Sequence, residues 1–291
     1  MKPPPFEYDD PRTVEEALAL LAEHGDEAKV LAGGQSLVPL LNFRLARPER
    51  LVDINNLAEL EYLRAEDGML RIGALLRQSA LDRSDEAARV VPLLREAVRL
   101  VGHVQIRNRG TVGGSIAHAD PAAELPVAMA ALGARFRIRS TRGERVLGAE
   151  ELFVTHLTTA LEPDELLTEI EVPVPAPGTG SAFVEFARRH GDFGLGGAAV
   201  LVHLAGDGTC ESASIALLAA APTPVRASEA EAFLHGRQLD EETAREAAAL
   251  AVADISPTSD IHGGSEYRQG LIEALTRRAL VAAAGRAKEA G

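Results

Sequence analysis

Residues 31 to 39 read Leu31-Ala32-Gly33-Gly34-Gln35-Ser36-Leu37-Val38-Pro39, and this stretch decides how the N-terminal part of the chain folds. The residues from Lys29 to Ala32 predict a brief strand, and those from Ser36 to Leu41 predict the first turns of a helix. Backbone amides in the glycine turn between them can converge on an anion, and the Ser36 hydroxyl can add a donor. The layout predicts a phosphate-binding loop, although a glycine pair alone is more often only a turn.

A second glycine-rich stretch lies in the middle of the chain. It reads Ile106-Arg107-Asn108-Arg109-Gly110-Thr111-Val112-Gly113-Gly114-Ser115 and continues through His118, Asp120, Pro121 and Glu124. A hydroxyl beside adjacent glycines again predicts backbone amides that open toward a polar ligand. Two such turns in different lobes predict one elongated anionic ligand held between them. A dinucleotide has the length and the charge for this arrangement.

Turn and apolar patterns predict two lobes in the first part of the chain. A second strand at residues 51–54 completes a βαβ-type lobe over residues 1–56. Residues 57–176 mix short strands with one clear helix, Glu86 to Val101, and predict an α+β lobe. Three prolines and two glycines between Ile170 and Gly180 predict an irregular linker. We place the domain boundary in this linker.

Residues 177–291 predict a smaller C-terminal domain. Its predicted strands are Ala182 to Ala187, Gly197 to Leu204 and Ala213 to Leu218, and its predicted helices are Ser228 to Leu234, Glu241 to Asp254 and Ser265 to Arg286. Asp207 and Gly208 predict a hairpin turn between the second and third strands. The domain is therefore expected to be a three-stranded antiparallel sheet covered by three helices.

Composition excludes several classes of function. The 291 residues include 43 acidic and 30 basic side chains, a net charge of −13, which argues against a nonspecific grip on nucleic acid or anionic lipid. No apolar run is long enough to span a membrane and no signal peptide is evident, so we expect a soluble cytoplasmic protein. The single cysteine, Cys210, excludes an internal disulfide and a self-contained iron–sulfur cluster, and is expected to be buried.

Extended stretches around both glycine turns resemble one protein family. The similar segments are residues 32–55, AGGQSLVPLLNFRLARPERLVDIN, and residues 106–126, IRNRGTVGGSIAHADPAAELP. Both resemble the FAD-carrying subunit of the molybdenum hydroxylases of the carbon monoxide dehydrogenase and xanthine dehydrogenase type. Shorter similarities occur at residues 186–193, 221–226 and 267–279. The resemblance implies an α+β fold with a two-lobed PCMH-type FAD-binding domain, residues 1–176, followed by a C-terminal flavoprotein domain.

The resemblance also implies roles for individual residues. The first motif, Ala32 to Ser36, would hold the FAD diphosphate, and the second, Thr111 to Ser115, would hold it and the adjoining ribityl from the other side. Glu124 is similar to an Asp that contacts the adenosine or ribose end, and Leu167 and Phe193 match positions near the flavin. The candidate cofactor-binding residues are Leu31, Ala32, Gly33, Gly34, Gln35, Ser36, Leu37, Gly102, Ile106, Thr111, Gly113, Gly114, Ser115, His118, Asp120, Glu124, Leu167 and Phe193. None is expected to act on the organic substrate or to bind a metal.

By resemblance, the chain works within a complex. A large subunit would bind molybdopterin, a small subunit would hold two [2Fe–2S] clusters, and the assembly would be a dimer of heterotrimers that passes electrons through FAD to an external acceptor. Two alternatives remain open, a self-contained FAD-dependent oxidase of the same flavin fold and a non-catalytic nucleotide-binding or assembly protein. A metal site at His118, Asp120 and Glu124 is disfavoured, because Pro121 breaks the regular spacing and this stretch contains no other histidine.

Overall fold

The computed structural model describes residues 2–290, which form an N-terminal domain of two lobes and a C-terminal domain. The first lobe contains β1 (Glu7–Asp9), α1 (Val14–His24), β2 (Ala28–Leu31), α2 (Leu37–Asn42) and β3 (Arg50–Asp53). Its three strands form a parallel sheet in the order β1-β3-β2. Thr13 caps the start of α1, and its hydroxyl accepts a hydrogen bond from the amide of Glu16 at 3.1 Å. The predicted βαβ arrangement is present, with α2 directly after the first glycine motif.

The second lobe is an antiparallel sheet covered by short helices. Its elements are β4 (Leu63–Glu66), β5 (Met69–Gly73), α3 (Gln78–Arg83), α4 (Asp85–Val90), α5 (Pro92–Leu100), α6 (Val104–Arg109), α7 (Val112–His118), α8 (Glu124–Leu132), β6 (Arg135–Ser140), β7 (Gly143–Gly148), α9 (Ala149–Leu152), β8 (Phe153–Thr155), β9 (Thr158–Thr159) and β10 (Leu166–Pro173). The main sheet has the order β4-β5-β10-β6-β7. One of its faces carries Arg71 and Arg137, both ion-paired with Glu169 and Glu171.

Two expectations for this lobe were wrong in detail. The single helix predicted from Glu86 to Val101 is two helices, α4 and α5, which meet at Val91 and Pro92. Proline has no amide hydrogen and disfavours helical conformation in the residue before it, so it ends one helix and begins the next. The stretch from Ile170 to Gly180 is not irregular throughout, because β10 continues to Pro173 and the next strand begins at Thr179. Only residues 174–178 connect the two strands.

The C-terminal domain contains the predicted antiparallel sheet and helices. Its elements are β11 (Thr179–Phe186), β12 (Gly196–Leu204), β13 (Cys210–Leu218), β14 (Val225–Arg226), α10 (Ser228–Leu234), α11 (Glu241–Ala251) and α12 (Ser265–Ala290). The three predicted strands are confirmed, and the two-residue β14 is added at the edge beside β13. Asp207 and Gly208 form the predicted hairpin turn, with Gly208 at a φ of +84°. Among residues 2–290, no helix combines the length and apolar character needed to cross a membrane.

The C-terminal sheet lies between two helical layers. Alternate side chains of a strand point to opposite faces. Thus Phe183 and Leu218 join the core beneath the helices of the second lobe, whereas Ala182 and Leu217 pack in the core beneath α10, α11 and α12. The sheet is therefore shared by both domains, which fixes the loop between β11 and β12 relative to the glycine motifs.

Candidate functional site

The first glycine motif forms an anion-binding loop between β2 and α2. Gly34 has a φ of +71°, a left-handed conformation that glycine adopts without steric cost. Within residues 2–290, the backbone amides of Gly33, Gly34, Gln35 and Ser36 donate to no acceptor. The Ser36 side chain makes no capping hydrogen bond at the start of α2. Four successive amide donors and a hydroxyl without partners are the groups that a phosphate oxygen requires.

The second glycine motif uses its amides differently from the prediction. The amides of Val112 and Gly113 donate to the carbonyl oxygens of Leu76 and Ala74, both at 2.9 Å. The Gly114 amide donates to the Thr111 hydroxyl at 3.0 Å, which caps α7. The expectation that Gly113 and Gly114 present free amides to a ligand was therefore wrong. Their partners are other parts of the protein.

The glycines of the second motif are explained by close packing. A Cβ atom at Gly113 would lie 2.6 Å from the Cβ of Ala74, and one at Gly114 would lie 2.6 Å from the Thr111 hydroxyl oxygen. Neither distance is compatible with van der Waals contact. Gly113 thus lets α7 approach the loop after β5, and Gly114 leaves space for the helix cap.

The two motifs meet directly. A Cβ atom at Gly33 would lie 2.3 Å from the carbonyl oxygen of Arg109 and 2.8 Å from the Cα of Gly110, so the first loop packs against the residues just before the second motif. A Cβ atom at Gly114 would lie 3.8 Å from the Cβ of Ala32. The structure therefore brings together the two glycine stretches that the sequence places in different lobes.

Asn55 and Arg77 join the lobes at this contact, and neither was among the candidate residues. The Asn55 side-chain amide donates to the Ala32 carbonyl at 2.7 Å, and its oxygen accepts from Arg77 at 2.7 Å. Arg77 also donates to the Arg109 carbonyl at 2.6 Å. Asn55 could have been found from the sequence, since it follows a predicted strand of the lobe that carries the first motif. The role of Arg77 had no sequence signal.

His118, Asp120 and Glu124 lie around the turn between α7 and α8. Burial lowers the pKa of His118, so its ring is neutral at pH 7, and an Asp120 carboxylate oxygen accepts from the amide of Ala122 at 2.9 Å. Within the described part of the chain, no three His, Cys, Asp or Glu side chains form a group that could hold a metal ion.

Glu124 is a buried acid with a second acid beside it. Glu124 is only 6% exposed. Burial raises the pKa of its carboxyl group to about 8, and the charge of Glu185 raises this pKa further. Burial also raises the pKa of Glu185 to about 7, and its Oε2 atom is buried without a hydrogen-bond partner in residues 2–290. At pH 7 Glu124 is therefore mainly protonated, and Glu185 is protonated in about half of the molecules.

The remaining candidates divide into a surface group and a core residue. Gly102 has a φ of +47° and packs on Ile106, and a Cβ atom at Gly191 would lie 2.6 Å from the His103 ring. The loop between β11 and β12 thus reaches α6, and it carries Phe193 with 72% of its surface exposed. Leu167, by contrast, is buried in the core of the second lobe and pairs with Ile138. Its side chain has no open face toward a ligand.

Comparisons with known proteins match both domains to one family. The family described as the FAD binding domain in molybdopterin dehydrogenase matches residues 4–175, and the CO dehydrogenase flavoprotein C-terminal domain matches residues 181–283. The chain belongs to the FAD-binding subunits of the carbon monoxide and xanthine dehydrogenase family. It is an oxidoreductase subunit with FAD as its cofactor. The predicted family and the two-domain α+β fold are confirmed.

Similarity to members of the family extends over the whole chain. The 6-hydroxypseudooxynicotine dehydrogenase complex subunit alpha of Paenarthrobacter nicotinovorans is 46% identical, over 99% of this chain and 97% of that relative. The carbon monoxide dehydrogenase medium chain of Afipia carboxidovorans is 41% identical, over 99% of this chain and 100% of that relative. A crystal structure of quinoline 2-oxidoreductase from Pseudomonas putida 86 superposes with a TM-score of 0.94 and 42% identity, over 99% of both chains. The first of these relatives is named as a subunit of a complex and the second as a medium chain, which implies a multi-subunit enzyme.

Proposed function

We propose that this chain is the FAD-carrying electron-transfer subunit of a molybdenum hydroxylase complex. It takes electrons from [2Fe–2S] clusters of a small subunit and passes them to an external acceptor, while a large subunit binds molybdopterin. One observation carries the proposal, namely the four amide donors of residues 33–36 without acceptors, packed against the second glycine motif. The lone, buried Cys210 supports a cluster site on another chain.

We propose the same cofactor-binding residues as the sequence predicts, but the two glycine motifs would contribute to FAD binding in different ways. The amides from Gly33 to Ser36 would bind the diphosphate, and Gln35 and Leu37 flank the Ser36 hydroxyl on the same loop. The second motif would shape the opposite wall by close packing and offer the Ser115 hydroxyl. Leu167 would act only as core support.

When bound, FAD supplies the capacity to accept electrons singly and to release them singly or in pairs. The residues of this chain bind it, orient it and limit water around it. Phe193 and Ile106 offer apolar faces from opposite domains for the ring system. Glu124 and Glu185 are buried carboxyl groups in the same region of the molecule, and burial raises their pKa values to about 8 and about 7. No group of the chain acts on the organic substrate.

We further propose domain limits of residues 1–176 and 177–291, with lobes of about 1–56 and 57–176 in the first domain. The end of β10 at Pro173 and the start of β11 at Thr179 support a limit between them. The complex is proposed to be a dimer of heterotrimers.

Purification of the native complex tests the proposed function. We expect two further chains, one with cluster-binding cysteines and one with a pterin site, and one FAD per copy of this chain, measured by absorbance after acid release. The isolated chain, reloaded with FAD, should not oxidise small organic substrates by itself. Substrate turnover by the isolated chain would instead favour a self-contained oxidase. Failure to take up added FAD would favour a nucleotide-binding assembly protein.

A further inference from the structure

Glu185 is a largely buried acid that the proposed cofactor-binding set does not include. Alternate side chains of its strand, β11, point to opposite faces of the sheet. Glu185 therefore lies on the same face as Phe183, which packs in the core of the second lobe. Its partner in β12 is Gly197, which has no side chain. The carboxyl group of Glu185 thus faces the second lobe from the C-terminal domain.

One oxygen of this carboxyl group has no hydrogen-bond partner. Within residues 2–290, Glu185 Oε2 is buried and takes part in no hydrogen bond. Buried polar atoms in folded proteins nearly always have a partner, supplied by the protein, by water or by a bound ligand. The orphaned oxygen therefore points to a partner that does not belong to the described part of this chain.

Burial, and not a neighbouring cation, governs the charge of Glu185. It raises the pKa of Glu185 to about 7, with no contribution from an opposite charge or a hydrogen bond. Glu124, at the start of α8, lies across the domain boundary, and burial together with the charge of Glu185 raises its pKa to about 8. Because Glu124 has the higher pKa, it is still mainly uncharged while Glu185 loses its proton. Two adjacent buried acids favour the protonated form of both.

The other charged groups around these two acids do not reverse this preference. Asp120, in the turn before α8, adds to the raised pKa of Glu124. Arg107 of α6 lowers it, but the Arg107 guanidinium already donates to the carbonyl oxygens of Val101 and Gly102, at 3.0 and 3.2 Å. The charged or titratable side chains of the loop between β11 and β12 do not contribute to the pKa of Glu185; they are Arg188, Arg189, His190 and Asp192.

The carboxyl group lies beside the loop that carries Phe193. A Cβ atom at Gly194 would lie 3.5 Å from Glu185 Oε2. The same loop contacts α6 through Gly191, and α6 carries Ile106. Glu185 therefore lies next to the two elements that offer apolar faces to the ring system of FAD.

We propose that Glu185, in its protonated form, donates a hydrogen bond to the isoalloxazine ring system of FAD and so positions the ring. This inference rests on the proposed function. The ring system offers carbonyl oxygens and ring nitrogens as acceptors, whereas an ionised carboxylate has no proton to donate. FAD binding would therefore favour the protonated acid and take up a proton from solution wherever Glu185 is ionised in the flavin-free protein.

Linkage determines the sign of the resulting pH dependence. The pKa of Glu185 in the flavin-free protein is about 7, and the proposed hydrogen bond raises it in the complex. Below pH 7 the acid is protonated in both states, so the dissociation constant for FAD is level. Above pH 7 the dissociation constant rises by at most about tenfold per pH unit, until the pKa in the complex is passed.

Isothermal titration calorimetry of the flavin-free, full-length chain with FAD tests the inference. Titrations at pH 7.5 in HEPES and in Tris, whose enthalpies of ionisation differ, give the number of protons taken up on binding. We expect the wild type to take up more than about half a proton per FAD. Glu185→Gln keeps a hydrogen-bond donor but cannot ionise, so it should bind FAD and lose this uptake. Glu124→Gln keeps Glu185 and should retain it, as should the exposed control Glu246→Gln on α11.

The outcomes separate this inference from the proposed function. Uptake that persists in Glu185→Gln, or that is lost only in Glu124→Gln, overturns the inference. The wild type also tests it without any variant, because a dissociation constant that is level or falls from pH 7 to pH 8 overturns it. If the wild type instead fails to bind FAD at every pH from 6 to 9, the proposed function itself is overturned.

Discussion

Position 33 has no space for a side chain, since even the Cβ of alanine would lie 2.3 Å from the Arg109 carbonyl oxygen. Gly33→Ala must therefore separate the first loop from α6 and displace the amide donors. We expect the dissociation constant for FAD to rise at least about tenfold, measured by titration of flavin-free protein. Gly270→Ala is the matched control, because its Cβ would enter open space on α12. That control should retain FAD affinity and gain up to about 1 kcal/mol of stability. Equal FAD affinity in both variants would argue against diphosphate binding by the amides of residues 33–36.

The raised pKa of Glu124 leads us to expect that the stability of the folded protein depends on pH near neutrality. Burial raises its pKa in the folded protein to about 8, from an ordinary value of 4.5. Between these values the folded state binds more protons than the unfolded state, so the free energy of unfolding falls as pH rises. The slope is at most about 1.4 kcal/mol per pH unit for each such carboxyl group. Above pH 8 this contribution stops changing.

Glu124→Gln tests this linkage, because the amide resembles the protonated acid and cannot ionise. We expect the variant to lose less stability than the wild type between pH 5 and pH 9, as measured by urea unfolding of flavin-free protein. Glu185 retains its own contribution, with a pKa of about 7. The exposed Glu246 on α11 provides the control, Glu246→Gln, which should follow the wild-type profile. Parallel profiles for all three proteins would contradict a protonated Glu124.

The helix α7 depends on Thr111 at its beginning. The hydroxyl accepts from the Gly114 amide, so Thr111→Ala removes the cap and should cost about 1 kcal/mol of stability. It also leaves the Gly114 amide without that partner next to the first loop, and we expect weaker FAD binding. Asp240→Ala removes the equivalent cap of α11, where Asp240 accepts from Thr243 at 2.9 Å. Denaturant unfolding should show similar losses, whereas flavin titration should show a change only for Thr111→Ala. A flavin effect of equal size in both would indicate general destabilisation.

Local sequence signals were sufficient for many elements of this protein. The strand before Gly33 and the helix after Ser36 could be predicted, because apolar periodicity and the positions of glycines are signals that depend only on neighbouring residues. The three long strands and three helices of the C-terminal domain were predicted for the same reason. The prediction of one helix over residues 86–101 was wrong, because the apolar periodicity continues across Pro92 but a helical backbone is interrupted there.

Hydrogen-bond partners from distant residues could not be predicted. Gly113 resembles a ligand-binding glycine in the sequence, but its amide is taken by Ala74, almost forty residues earlier. Leu167 likewise matched a position near the flavin, yet its place in β10 turns its side chain into the core. Sequence similarity identified the correct segments in both cases. Tertiary contacts then determined which atoms remain available to a ligand.

At the scale of the whole molecule, the shared sheet joins the two domains. Its two faces contribute to two hydrophobic cores, one with the second lobe and one with α10, α11 and α12. The short connection at residues 174–178 is therefore not a hinge between independent bodies. The arrangement gives the loop that carries Phe193 a fixed position against α6, as its contact through Gly191 and His103 indicates.

Glu96 on α5 makes polar contacts between the second lobe and the C-terminal domain. Its carboxylate accepts from the Phe183 amide of β11 at 3.0 Å and from Arg286 of α12 at 2.6 Å. Glu96→Ala leaves a backbone amide of the shared sheet without its partner, so we expect a loss of about 1–3 kcal/mol in the free energy of unfolding. Because the sheet holds the loop at residues 187–195, amide hydrogen exchange in that loop should accelerate, as followed by mass spectrometry. Glu246→Ala, on an exposed face, should change neither quantity. Faster exchange confined to α5 would show that the position of this loop does not depend on the hydrogen bonds of Glu96.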